Sequence, residues 1–190
     1  MNTKSFYLLV LLLTTTFAFG SVKPIPITSA TIEWKAYKIA YERWGTIQLK
    51  SGELLFEDDA LTGGNFVVDM TSIQVTSLEG KKKASLEKHL RSDDFFGIEE
   101  FPTAEMVISA VESITDGYNV TGDFTIKGQT HPVTFPMVVN GNTATAKVKI
   151  DRTKYNVRYG SDTFFDNLGN RVIYNEFDLN VKLTFKDKKL

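Results

Sequence analysis

Phe177-Asp178-Leu179-Asn180-Val181-Lys182-Leu183-Thr184-Phe185 alternates apolar and polar residues without a break. A period of two puts Phe177, Leu179, Val181, Leu183 and Phe185 on one face of an extended chain, with the polar residues on the other. One face is buried and the other wet, as in an antiparallel sheet covered on one side. The run from Val172 to Lys186 is 15 residues without Pro or Gly, against a usual strand of about 5–6. At ~3.3 Å per residue it would reach roughly 50 Å if unbroken, which suits a tall barrel better than a compact sandwich.

Reading outward from this stretch, the same alternation recurs between turn residues. Ala144, Ala146, Val148 and Ile150 share one face, as do Val133, Phe135, Met137 and Val139, with Asn140-Gly141 between the two runs. Tyr118, Val120, Phe124 and Ile126 form another run, bounded by Asp116-Gly117 and Lys127-Gly128. Before them, Ala104–Val111 predicts a strand with Met106, Ile108 and Ala110 inward, and Gly63-Gly64 opens a strand over Asn65–Met70. Thr46–Leu49 and Glu53–Phe56 flank Ser51-Gly52, a hairpin signal. Thr31–Lys38 carries Ile32, Trp34 and Ala36 on one face, and Val22–Thr28, with Pro24 and Pro26, reads as a leader into it. Seven or eight strands joined by short turns predict an all-β antiparallel meander, for which a closed barrel and a sandwich both remain compatible. One segment departs from the pattern: Lys81–Leu90 is rich in helix formers, and Ser92-Asp93-Asp94 then caps a short turn carrying Phe95 and Phe96. Gly97 and Pro102 end it. This helical segment is expected to cover one end of a barrel.

The composition is that of one globular domain, with 190 residues, 42% hydrophobic and 24% charged. A net charge of −1 provides no overall field for nucleic acid. The absence of cysteine excludes disulfides, thiolate metal sites and a lipoprotein cysteine. Lys4, the apolar run Phe6–Phe19 and the exit Ala18-Phe19-Gly20 have the parts of a secretory signal. The apolar run is shorter than the ~20 residues that span a bilayer. Residues 1–20 are therefore expected to be a cleaved signal peptide, and residues 21–190 an exported domain, periplasmic or secreted, with no integral membrane span.

Catalytic patterns are missing: no G-x-S-x-G, H-E-x-x-H, Walker A or G-x-G-x-x-G occurs, and no cofactor is implied. His89 with Asp93 gives at most two metal ligands, too few for zinc. His89 reads instead as a helix-end histidine whose positive form suits the macrodipole. His131, before Pro132, reads as a turn-stabilising residue. Asp58-Asp59, Asp93-Asp94 and Glu99-Glu100 read as turn and cap residues, and Lys81-Lys82-Lys83 as a solvated face. Arg152, Tyr155 and Arg158 are the polar residues that an enzymatic interior would need, and read more simply as barrel-corner residues. What remains is the apolar face itself. An eight-stranded barrel either fills its interior with side chains or holds one small ligand, and periodicity does not choose between these.

Four segments resemble the YceI-like family: His89–Phe96 with Phe101-Pro102-Thr103-Ala104, Gly63–Ile73, Gly122–Val133, and Ile150–Tyr155 with Val157-Arg158-Tyr159-Gly160. Together they cover most of residues 31–186 in the family's order. The resemblance implies an elongated, lipocalin-like eight-stranded antiparallel barrel around an apolar tunnel. It also implies an exported binding protein, not an enzyme, for a long apolar ligand such as an isoprenoid lipid or a quinone. Two departures stand out. Tyr41-Glu42-Arg43-Trp44-Gly45 lacks the histidine that relatives often carry before the glycine, and Phe124 stands where leucine is usual. On this reading the expected ligand-binding residues are Phe124, Phe135, Met137, Phe177, Leu179, Val181 and Leu183. The competing expectation is a filled barrel, acting as a structural or interaction module through an exposed apolar patch or a homodimer face.

Overall fold

The computed structural model describes residues 21–187; the expected signal peptide over 1–20 lies outside the described residues. The strands are β1 (Val22–Lys38), β2 (Glu42–Glu57), β3 (Ala60–Val75), β4 (Thr103–Ile114), β5 (Gly117–Ile126), β6 (Gln129–Asn140), β7 (Thr143–Asp151) and β8 (Ile173–Phe185). They form a closed barrel in sequence order, with β8 returning to pair antiparallel with β1. The alternative of a sandwich is thereby settled: closure leaves no long edge to cover. One helix, α1 (Gly80–Arg91), interrupts the meander between β3 and β4, where its formers and the following Phe95-Phe96 turn were expected.

From β5 to β8 the observed faces match the alternation. Val120, Phe124, Ile126, Phe135, Met137, Ala144, Ala146, Val148, Ile150, Leu183 and Phe185 are buried. The outer face of β8 is polar, with Asp178 accepting hydrogen bonds from Tyr37 Oη and from Lys149 Nζ, the latter at 2.9 Å. The turns Asp116-Gly117, Lys127-Gly128 and Asn140-Gly141 join these strands as expected, with glycines at positive φ.

Four expectations fail between β1 and β4, and bulges explain two of them. Ser51-Gly52 is not a hairpin: β2 runs straight through it, with Leu49 opposite Val68 and Ser51 opposite Val67. Lys50 is the extra residue, so the inward positions change from Ile47 and Leu49 to Gly52, Leu54 and Phe56. A parity change of this kind reads as two strands in sequence and is one strand in space. In β4 a second bulge lies between Ile108 and Ala110, so Ala110 is exposed and Val111 faces inward instead. The third correction is Val22–Thr28, which belongs to β1 and pairs from Val22↔Glu57 to Pro26↔Glu53. Its other side extends beyond the last β8 pair, Ile27↔Phe185, so Pro24 and Pro26 lie along an edge that needs no amide donor. β3 likewise starts before Gly63-Gly64, at Ala60.

The interior divides into two parts. At the end bearing the β2–β3, β4–β5 and β6–β7 turns, Leu54, Phe56, Leu61, Val120 and Phe185 pack to near-complete burial, with the Phe56 and Phe185 rings 5.6 Å apart. At the other end, α1 and the segment after β7 close over a second cluster containing Trp34, Ile73, Val75, Leu90, Phe95 and Val157. The helix is tied to β3 by Glu87, which accepts from the Val75 amide at 2.9 Å, and by Arg91, which donates to the Ile73 carbonyl at 2.9 Å. Among the described residues, no helix is long and apolar enough to cross a membrane.

Candidate functional site

The inward faces of β1–β8 do not meet everywhere. Above the packed end they surround a cavity of about 160 Å³ that reaches up to α1. All seven residues expected to line an interior lie on its wall: Phe124, Phe135, Met137, Phe177, Leu179, Val181 and Leu183. The last four stand in order along β8, facing Ile150, Val148, Ala146 and Ala144 of β7, with Leu183 nearest the packed end. Phe177, Leu179 and Val181 are only half-buried although they point inward, because the space in front of them is open. The Phe124 and Phe135 rings meet edge to face at 6.1 Å on the adjoining wall.

Alternation within single strands missed several wall residues. Phe66 and Met70 come from β3, Leu90 from α1, and Phe95 and Phe96 from the turn after it. Met70, Met106 and Met137 are all the methionines after Met1, and all three line the cavity. An unbranched thioether adapts its shape to what it meets, so this wall is deformable. Two glycines leave room for the lining. Gly45 lies opposite Trp34, and a Cβ there would come 2.7 Å from the indole and 1.8 Å from the Gln74 carbonyl. Gly122 faces inward between Val120 and Phe124, and a Cβ there would meet Met106 Sδ at 2.7 Å. Methionine positions and inward glycines were visible in the sequence as a signal, but only the register assigns them to one wall.

The wall carries charge only at Glu105 and Arg152, and only Glu105 and Tyr174 are exposed among its residues. Both exposed residues lie toward the α1 end of the barrel and have the outward parity of their strands, Glu105 between inward Ala104 and Met106 and Tyr174 beside inward Ile173. Arg152 is 3% exposed and has four backbone partners. It donates to the carbonyls of Val157 (2.8 Å), Tyr159 (2.9 Å), Ile173 (2.8 Å) and Tyr174 (3.1 Å). Burial draws its pKa down to about 10, with Asp151 and Asp162 opposing; at neutral pH it remains a cation. Its first role is therefore to clamp the chain between β7 and β8, as a corner residue. Tyr155 is buried, its pKa pushed up to about 12 by burial and by Asp151, and its hydroxyl donates to the His131 carbonyl at 3.4 Å. Arg158 is exposed and lies over the Phe164 ring at 4.9 Å. The three do not converge on one point.

His89 departs from its expected state. Its ring lies edge-on to Tyr159 at 4.3 Å and to Phe95 at 5.6 Å, linking α1 to the segment after β7. Burial lowers its pKa below the ordinary 6.5, against Asp94 and with a smaller push from Lys38. Desolvation outweighs the pull of Asp94 here, so the neutral form is favoured. Its Nε2 is buried with no hydrogen-bond partner among the described residues. Asp58 sits in the β2–β3 turn at a positive φ of 53°, as a turn residue should. Among the described residues, no three histidine, cysteine or carboxylate side chains gather to ligate a metal.

Known proteins share this architecture. The barrel of Burkholderia cenocepacia BcnA superposes with a TM-score of 0.62 at 22% identity, over 81% of this chain and 94% of that one. A polyisoprenoid binding domain from Saccharophagus degradans, implicated in plant cell wall breakdown, gives 0.57 at 12% identity, over 90% and 99%. In sequence, a UPF0312 protein of Pseudomonas putida strain W619 is 31% identical over 114 residues, which is 59% of this chain and 57% of that protein. A UPF0312 protein of Photorhabdus laumondii is 32% identical over 110 residues, 57% of this chain and 55% of that one. The matched stretch thus spans little more than half the length of these relatives. The model of the YceI-like domain matches residues 25–185, nearly all of the barrel. With that match spanning β1 to β8, the chain belongs to the YceI-like domain family.

Proposed function

We propose that this protein is an exported carrier for a long apolar molecule of the isoprenoid class, lipid or quinone, held tail-down in the barrel. The observation that carries the reading is the wall itself: an enclosed, open space faced by apolar side chains, with charge only near its α1 end. The polyisoprenoid-binding neighbour supports the ligand class, and the signal-like sequence of residues 1–20 supports a periplasmic or secreted location. Binding follows from burial, worth ~0.8 kcal/mol per CH₂ before ordering costs are subtracted. Recognition is by length and girth, because few polar groups are available to read a headgroup.

Size adds a requirement. About 160 Å³ is open, whereas pockets for drug-sized ligands are usually ~300–1,000 Å³. A long chain therefore enters only as the wall yields, and Met70, Met106 and Met137 are the side chains suited to yielding. Phe177, Leu179, Val181 and Leu183 give the ligand a track toward the packed end, and Phe124, Phe135 and Met137 form the adjoining wall. Protein purified from its native host and extracted into organic solvent should release one long apolar lipid at near-equimolar amount, identified by mass spectrometry. Extracts holding none would leave the filled-barrel module as the better account.

A further inference from the structure

We propose that the α1 end of the barrel docks on an anionic lipid bilayer, with its exposed aromatic side chains at headgroup depth and its basic side chains against the phosphates. Large hydrophobic residues are exposed unevenly on this molecule. Ile39, Tyr41 and Trp44, around the β1–β2 turn, and Tyr159, Phe164, Phe165 and Tyr174, after β7, are 41–54% exposed. The packed end shows only Val22 and Ile114 among the described residues, and the barrel side only Val107 and Val138. The two aromatic groups adjoin, because Lys38 pairs with Ile173 and Ile173 donates its amide to the Gly160 carbonyl at 2.8 Å.

Cations accompany the rings. Arg43 lies over Tyr41 at 3.9 Å with Lys38 at 5.4 Å, and Arg158 lies over Phe164 at 4.9 Å. Arg171 and Lys154 are exposed on the same segment. Its acids are Asp162 and Asp166, and Glu42 is paired with Lys35 at 2.6 Å. Rings that are apolar in body and polar at the edge, set beside basic side chains, match the interfacial layer of a bilayer, where both kinds of group are favoured. A water-soluble partner would have no need of the third feature, which is position. Tyr174 belongs to this surface and also borders the cavity, so docking sets the α1 end of the cavity against the bilayer. Arg43, stacked over Tyr41, and the exposed Trp44 belong to this outer surface and are not part of the cavity wall. The inference rests on the reading of the cavity as a lipid site, and gives its ligand a source.

The test is partition onto sonicated vesicles of phosphatidylcholine with and without one-third phosphatidylglycerol. Trp44 is read as the sole tryptophan in a Trp34→Phe background. The Trp34 indole N–H is buried without a partner, so this background orphans no acceptor. The anionic vesicles should bind, shift the Trp44 emission to the blue and lose affinity as salt rises. Arg43→Gln with Arg158→Gln should weaken binding about five-fold for each change, the factor that corresponds to ~1 kcal/mol per basic side chain at an anionic surface. Tyr41→Ser with Phe164→Ser and Phe165→Ser should weaken it at least as much. Val107→Ser with Val138→Ser, which removes exposed apolar side chains from the barrel side, should change nothing. Absence of binding, binding without a Trp44 shift, or equal losses from the barrel-side pair would each overturn docking. So would a dimer in sedimentation that the triple change dissociates, since the patch would then face a second copy. Because these vesicles contain no isoprenoid, docking can fail while native protein still yields lipid on extraction, and the reverse holds equally.

Discussion

The two ends of the barrel are built from the same kind of sequence and do opposite things. At the packed end, Phe56 and Phe185 are each 1% exposed, with ring centroids 5.6 Å apart and planes tilted by 37°. A few residues further along the same strands, Phe177 and Leu179 also point inward yet face an open cavity. The choice between a filled barrel and a ligand-holding one therefore has both answers within one molecule. The filled end provides the stability that an empty end forgoes, since an apolar void loses the contacts its lining would otherwise make. A cysteine-free chain needs that packed base before it can leave the other end hollow.

The largest expected effect contrasts those two ends directly. Phe56→Ala should destabilise by ~3–5 kcal/mol, the range for a fully packed aromatic. Phe177→Ala removes a similar ring that already borders space, and should cost less than half as much. Denaturant midpoints at equal m-value would show it; equal losses would mean the cavity is in effect part of the core. Next comes the clamp at the hollow end. Arg152→Met leaves four carbonyls without their donor and should cost ~2–4 kcal/mol. Hydrogen exchange should then rise over residues 157–174 while the Phe56–Phe185 end stays protected.

Leu179→Lys and Asn180→Lys sharpen the contrast between inside and outside at a single level of β8. The first puts an ammonium into the cavity, should cost ~1–3 kcal/mol and should abolish lipid in organic extracts. The second adds a charge to an already exposed position and should change stability by less than ~0.5 kcal/mol, with the extract unaltered. The smallest effect lies at His89. Its folded pKa is below the unfolded value, so the unfolded state binds more protons as pH falls through 6.5 toward the folded value. Stability tied to this residue is present above that window and is lost on acidification. His89→Gln should flatten the dependence of the unfolding midpoint on pH over that interval, and an unchanged slope would assign it to other groups.

Four of the eight strands were legible in full from sequence, and the reason is local. Along β5, β6, β7 and the stretch of β8 from Phe177 to Phe185, no bulge interrupts the inward face, so alternation alone assigned the side of every residue named there. The helix was legible too, because Lys81–Leu90 abandons the period of two. In β4 the same rule misassigned Ala110, and in β2 the Ser51-Gly52 turn signal split one strand into two, since one inserted residue near Ser109 or at Lys50 reverses every side chain beyond it. A bulge is a property of two strands together, defined by which residue of the partner is skipped, and one strand's pattern does not contain it. The same limit applies to the site. Periodicity determined that Phe124, Phe135, Met137, Phe177, Leu179, Val181 and Leu183 point inward. Whether inward means packed or hollow depends on how far the opposite wall stands and on the volumes around the space, here the small Ala146 beside Val181 and the inward Gly122 on β5. Those distances are set only when all eight strands have closed on one another, which is why the tertiary structure alone decided where the barrel is empty.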